Sequence, residues 1–192
     1  AFYDEVEVKV REGNGNVSTE FLGPYAHNIN EEENTASLAA KLVLMLSNRN
    51  VDVEIKVWKG IPIGLGLGSS GATAVAVTKA LSSALELKID EMKLASIAGM
   101  AEKAAAGSAH YDNVTASMLG GLIVIYNFEP LKALRFNPKG IFVLGIPNLK
   151  TPAQKTAIMR TITPKSLTLE SMVQSLARMA AFMAGLYSDS LE

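Results

Sequence analysis

Residues 51–72 read VDVEIKVWKGIPIGLGLGSSGA: an alternating run, a stretch of closely spaced glycines, and the start of a helical pattern. Val51, Val53, Ile55 and Val57 recur at every second position, the period of a half-buried strand. Residues 72–87 hold neither Gly nor Pro and are rich in Ala, Leu and Val, which suits a helix. This order of strand, glycine loop and helix constrains the fold more than any other feature of the chain. Gly64, Gly66 and Gly68 allow positive φ and let backbone N–H groups approach a ligand, and a helix starting near Ser69 adds the positive end of its dipole. Together they make an anion cradle. Ser69 and Ser70 can donate to phosphate oxygens or set a hydroxyl on a magnesium ion bridging two phosphates. The plainer alternative is a glycine-rich turn whose serine only caps a helix.

GLGSSG at residues 66–71 fits G-x-G-x-x-G, but a dinucleotide-binding unit needs an acidic residue ending a second strand about 20 residues on. Here the segment after Gly71 is one long helical pattern with Glu86 near its end. A Walker A loop needs Gly-Lys-Ser/Thr, and no lysine follows these glycines before Lys79. Neither context fits.

The rest of the chain reads as α+β. Val6, Val8 and Val10 alternate with Glu7 and Lys9 ahead of GNGN, predicting an opening hairpin. Leu38, Leu42, Met45 and Leu46 share one helical face, with Asn34 or Thr35 capping its start. Asp90 offers the N-cap of a helix running to about Ala106. Gly120-Gly121 leads into LIVIYNF, and IFVLGIP, bounded by Gly140 and Pro147, reads as another short strand. Residues 147–164 form a Pro-punctuated connection, and SLTLESMVQSLARMAAFMAGLY is an amphipathic helix. With no internal repeat, the expected organisation is one unit over residues 1–139 and the beginning of a second over residues 140–192.

Composition narrows the ligands. With 18 Lys and Arg against 19 Asp and Glu and no basic block, neither nucleic acid nor an anionic membrane is an expected partner. The absence of Cys removes disulfides, thiolate metal sites and thiol nucleophiles, leaves the chemistry to oxygens and nitrogens, and is compatible with a reducing cytosol. No apolar run approaches the roughly 20 residues of a membrane span. AFYDEVEVKV is neither a signal peptide nor a Met start, so the chain is expected to begin within a longer protein.

PIGLGLGSSGATA, residues 62–74, resembles the second signature motif of the GHMP kinases (galactokinase, homoserine kinase, mevalonate kinase, phosphomevalonate kinase), Pro-x-x-x-Gly-Leu-Gly-Ser-Ser-Ala-Ala. Pro62, Gly66, Leu67, Gly68, Ser69 and Ser70 match it. Within that superfamily, AEKAAAGSAHYDNVTASMLGGLIVIYNFEPL is most similar to the homoserine kinases through Glu102, His110, Asp112, Asn113, Val114, Gly120, Gly121, Glu129, Pro130 and Leu131. YDEVEV, KGIPIGLGLGSS and GIPN are also similar, so the resemblance spans essentially the whole chain. Gly71 stands where the family usually has Ala. The family's N-terminal Pro-x-x-x-Asn-Leu-Gly segment and C-terminal Gly-Ser-Gly-Pro loop are absent, which implies a chain shortened at both ends.

The resemblance implies the GHMP kinase fold: an N-terminal α/β domain like domain 2 of ribosomal protein S5, then the start of a ferredoxin-like α+β domain. It implies ATP and Mg²⁺, with a nucleotide loop of Pro62, Ile63, Gly64, Leu65, Gly66, Leu67, Gly68, Ser69, Ser70, Gly71 and Ala72. By the same resemblance Ser70 and Glu102 hold the metal, and His110, Asp112 and Arg160 meet an amino-acid acceptor. Asn34 and Lys59 line the adenosine pocket, and Asn113 stands where some GHMP kinases carry a general base. Phosphoryl transfer works mainly by positioning and charge neutralisation, so a strong base is not required. Each residue also has a plainer role. Glu102 is a solvated Glu at the edge of the face made by Leu94, Ile97, Ala98, Ala101 and Ala105; His110 is a turn histidine and Arg160 a surface charge; Asp112 and Asn113 cap the short helix before Gly120; Asn34 is a helix cap and Lys59 a solvated lysine. His27 has no motif around it. The expected activity is ATP-dependent phosphorylation of the L-homoserine hydroxyl, on the route to threonine, by a cytoplasmic homodimer. The alternatives are a GHMP kinase for mevalonate or a diphosphocytidyl-erythritol, or a non-catalytic nucleotide-binding fragment.

Overall fold

The computed structural model describes residues 2–26, 29, 34–106, 111–139, 141–146 and 161–188. The chain divides into two compact units, Ala1–Arg135 and Phe136–Glu192.

The first unit opens with β1 (Asp4–Glu12) and β2 (Val17–Leu22), followed by α1 (Thr35–Ser47) and β3 (Val51–Lys59). The expected opening hairpin does not form: the strand order is β1-β3-β2. β1 lies antiparallel to β3 from Asp4 opposite Lys59 to Glu12 opposite Val51, and β2 runs parallel to β3. The reason is burial. Val53, Ile55 and Val57 are almost fully buried, whereas the alternating valines of β1 are only partly so, which makes β3 the central strand. The GNGN turn reverses the chain but opens to admit the start of β3. Asp52 Oδ1 accepts from the N–H groups of Asn14 and Asn16, both at 2.9 Å, and Val53 N–H donates to the Asn16 carbonyl at 2.8 Å.

One face of this sheet is covered by helices and the other carries exposed charge, including the pairs Arg11 with Glu54 and Lys56 with Glu20. α2 (Ser69–Ala84), α3 (Glu91–Ala106) and α4 (Tyr111–Leu119) follow the glycine loop. α1 packs on α2, α3 and β2, and α2 packs on β1 and α4. α1 does not bury the face its large residues suggested: Met45 and Leu46 are exposed, while Ala36, Ala39, Ala40 and Val43 are inaccessible. Small side chains let α1 approach its neighbours closely, and a helix flanked on several sides buries more than its most apolar stripe. On α3 the expected face holds, with Leu94, Ile97, Ala98 and Ala101 buried; the side chain of Ala105 lies outside the described residues.

β4 (Leu122–Phe128) and β5 (Leu131–Phe136) form a separate two-stranded sheet, joined through a cis Glu129–Pro130 bond. In the second unit, residues 141–146 are exposed and form no strand, so the short strand expected at IFVLGIP is absent from its described part. Without a neighbouring strand, a brief apolar run has no ladder to join. α5 (Leu169–Ser188) is the amphipathic helix expected there, and Thr168 Oγ1 accepts from Ser171 N–H at 3.2 Å in its first turn. Among the described residues no helix is long and apolar enough to cross a membrane.

Candidate nucleotide site

β3 ends at Lys59, and the chain then passes through Gly64, Gly66 and Gly68 with φ of 78°, 80° and 69° before entering α2. All three lie in the left-handed region, where a side chain would be strained. Gly68 itself is the N-cap, and no side chain caps α2. The reading in which a loop serine caps this helix is therefore overturned. The first N–H groups of an α-helix have no partner within it, so an uncapped first turn leaves donors for a ligand, reinforced by the dipole.

The two serines part company. Ser69 is buried and its hydroxyl donates to the Ile61 carbonyl at 3.1 Å, so it tightens the loop rather than facing a ligand. Ser70, one position on, is exposed, and its Oγ lies 2.9 Å from Thr35 Oγ1 in the first turn of α1. A 100° step around the helix separates the two roles. Pro62 is buried, Ile63, Gly64 and Gly66 are exposed, Leu65 and Leu67 are half-buried, and Ala72 N–H begins the helical ladder by donating to the Gly68 carbonyl at 2.9 Å.

Asn113 sits against the loop's exit. A Cβ placed on Gly71 would lie 3.1 Å from Asn113 Cβ, and one on Gly68 would lie 3.2 Å from its Oδ1. Asp112 and Asn113 both fall in the first turn of α4, inside the helix, so neither is its N-cap. Asp112 is exposed and lines a cleft of about 500 Å³ with Tyr111, Leu122, Ile125 and Phe128. Glu102 is not solvated: only 3% of it is accessible. α2 and α3, joined by the short connection of residues 85–90, pack on each other, and Glu102 lies in the last turns of α3.

Lys59 is also buried, not solvated. Its ammonium pairs with Asp4 and donates to Thr73 Oγ1 at 2.7 Å and to the Ser69 carbonyl at 3.2 Å, so each of its three protons has an acceptor. Burial pulls its pKa below the ordinary lysine value, partly opposed by the hydrogen bond and charge of Asp4. Asn34 is the N-cap of α1 in a capping box with Ser37. Its Oδ1 accepts from Ser37 N–H at 2.9 Å, and its Nδ2 donates to Thr19 Oγ1 at 2.9 Å. His110 and Arg160 lie outside the described residues, as does His27.

The structure thus brings Gly68, Ser70, Gly71 and Asn113 to one mouth, with Thr35 beside them. Sequence reasoning passed over Asp4, Thr73 and the functional position of Thr35. Asp4 sits in the similar stretch YDEVEV, Thr73 lies four residues after Ser69 on one helical face, and Thr35 was legible only as a cap.

Residues 34–121 match the family of GHMP kinases N terminal domains. The chain carries a GHMP kinase N-terminal domain. A homoserine kinase from Aeropyrum pernix is 37% identical over 195 residues, covering 100% of this chain and 62% of the relative. The crystal structure of homoserine kinase from Cytophaga hutchinsonii superposes with a TM-score of 0.81 at 27% identity, over 95% of this chain and 58% of that one. The crystal structure of L. major mevalonate kinase in complex with R-mevalonate shares the fold, with a TM-score of 0.58 at 19% identity over 71% of this chain and 43% of that one. The chain spans less than two thirds of the length of the curated homoserine kinases it matches.

Proposed function

We propose that the chain is the nucleotide-binding part of a homoserine kinase, which transfers the γ-phosphoryl group of ATP to the side-chain hydroxyl of L-homoserine. The observation that carries this reading is the uncapped first turn of α2, entered through three left-handed glycines and faced by Ser70 and Asn113. In this reading the phosphates lie against the N–H groups of Ser69, Ser70 and Gly71, where the dipole favours negative charge. The acceptor oxygen attacks the γ-phosphorus as the bond to the β–γ bridging oxygen breaks, ADP leaves with that electron pair, and the hydroxyl proton passes to an oxygen of the transferred phosphoryl group. Asn113 is an amide and takes no proton as a base; it orients the acceptor hydroxyl. His110 and Arg160 grip the amino acid, the guanidinium suiting a carboxylate in two places, and Asp112 faces its amino group. Ser70 and Glu102 would hold a Mg²⁺, whose chemistry is to neutralise charge on the phosphates. An exposed hydroxyl and a carboxylate are the hard oxygen donors that ion takes, and it arrives with waters and phosphates completing its shell.

Similarity to homoserine kinases over the whole chain favours this acceptor over mevalonate, because the mevalonate kinase likeness is weaker and covers less of the chain. We further read residues 140–192 as the start of the C-terminal domain, and the complete protein as a cytoplasmic homodimer. An ADP-release assay with MgATP tests the function, comparing homoserine, mevalonate and no acceptor, on this chain and on one extended to the length of its relatives. Turnover with homoserine alone is the expected result. Turnover with mevalonate, or with no acceptor dependence, refutes it.

A further inference from the structure

The glycine loop is closed at its base by a buried ion pair whose partners lie 55 positions apart in sequence. The side chains of Lys59 and Asp4 are 3% and 1% accessible. Asp4 Oδ1 accepts from the N–H groups of Gly60 and Ile61, each at 3.1 Å, and its Oδ2 accepts from Thr73 Oγ1 at 2.7 Å. Lys59 meanwhile holds the Ser69 carbonyl and Thr73. One carboxylate therefore fixes the residues that enter the loop, and one ammonium fixes the residue that leaves it. Taking two charges out of water is costly, and a well-packed apolar pair would serve stability as well. What an apolar pair would not do is hold backbone groups at both ends of a loop in a set direction.

We infer that Asp4, Lys59 and Thr73 are positioning residues of the phosphate-binding loop. They set the distance between its two ends, and so the aim of the N–H groups beyond Gly68, without touching the nucleotide. The inference rests on the ATP reading above and departs from the adenosine-pocket role expected for Lys59, because the ammonium already has its three acceptors.

The test compares wild-type chain with Lys59→Met, Asp4→Asn and Thr73→Val, measuring displacement of a fluorescent ATP analogue by MgATP and by adenosine, and amide exchange across residues 61–72. Circular dichroism confirms folding. Thr73→Val keeps both charges and nearly the same volume, so it reports even where a charge variant unfolds. MgATP affinity is expected to fall about tenfold in the folded charge variants, as misaimed donors do, and about threefold in Thr73→Val, which loses the hydroxyl's contacts with Lys59 and Asp4 but keeps the ion pair. Adenosine affinity should hold, and exchange should rise across residues 61–72 more than elsewhere. Unchanged MgATP affinity and exchange in a folded variant overturns the inference. So does an equal loss for ATP and adenosine, which would make Lys59 a direct nucleoside contact while leaving the kinase reading intact. If wild-type chain binds no MgATP, the kinase reading falls and the inference with it.

Discussion

Gly99→Ala is a small change whose sign the structure decides. Gly99 lies within α3, where alanine is the better helix former by about 0.5–1 kcal/mol. Sequence alone therefore predicts stabilisation. In the fold, however, a Cβ on Gly99 would lie 2.6 Å from Tyr111 Cδ1 and 3.3 Å from its Cζ, well inside van der Waals contact. The ring must shift to admit it, and that shift disturbs its tilted contact with Phe128, whose centroid lies 6.1 Å away at 51°. Overpacking of this kind costs about 1–3 kcal/mol, so the net expectation is a loss of about 1–2 kcal/mol. For a chain of this size that is a fall in Tm of about 2–8 °C. Tyr111 opens α4, so its displacement also shifts Asn113 against Gly68 and Gly71 and should weaken MgATP binding. Chemical denaturation of a double-mutant cycle with Tyr111→Ala is the assay. In the Tyr111→Ala background the clash is gone, and Gly99→Ala should instead stabilise by about 0.5–1 kcal/mol. Stabilisation in the wild-type background, or the same destabilisation in both, would refute the steric argument.

Three further outcomes are expected. Thr115→Val should be neutral or stabilising by up to about 1 kcal/mol on urea denaturation, since its fully buried hydroxyl has no hydrogen-bond partner among the described residues; a clear loss would reveal a hidden partner. The Asn16 N–H, helped by Asn14 and Gly15, holds the Asp52 carboxyl below its ordinary value of 3.8. A depressed native pKa contributes stability that is complete above that unfolded value and disappears as pH falls through the native one, so Asp52→Asn should flatten the acid limb of stability below pH 3.8. An unchanged acid limb would remove the turn's dependence on that carboxylate. Ser70→Ala and Glu102→Gln should each lower turnover of the extended protein about a hundredfold in steady-state kinetics, the scale of losing one transition-state ligand. Wild-type turnover in either variant would remove it from the metal site.

Periodicity and chain chemistry carry the local structure. The alternation of residues 51–57, the helical run after Gly68 and the Asn34 cap are properties of neighbouring residues, and each reappears at its place. The positive φ of Gly64, Gly66 and Gly68 was legible because only glycine takes that conformation without strain. What periodicity misjudged was whatever depends on a distant partner. The insertion of β3 between β1 and β2, the exposed Met45 and Leu46, and the missing strand over residues 141–146 all turn on which neighbours compete for burial. The site divides in the same way. By itself the sequence determined an anion cradle of glycines and hydroxyls at the mouth of a helix, because donors, φ freedom and dipole are all local. Only the tertiary structure decided that Ser70 faces outward while Ser69 turns in, that Asn113 closes on the glycines, and that Lys59 and Asp4 clamp the loop from beneath. Those contacts join residues far apart in the chain, and burying a charge or an amide is favourable only when folding brings its partner within reach.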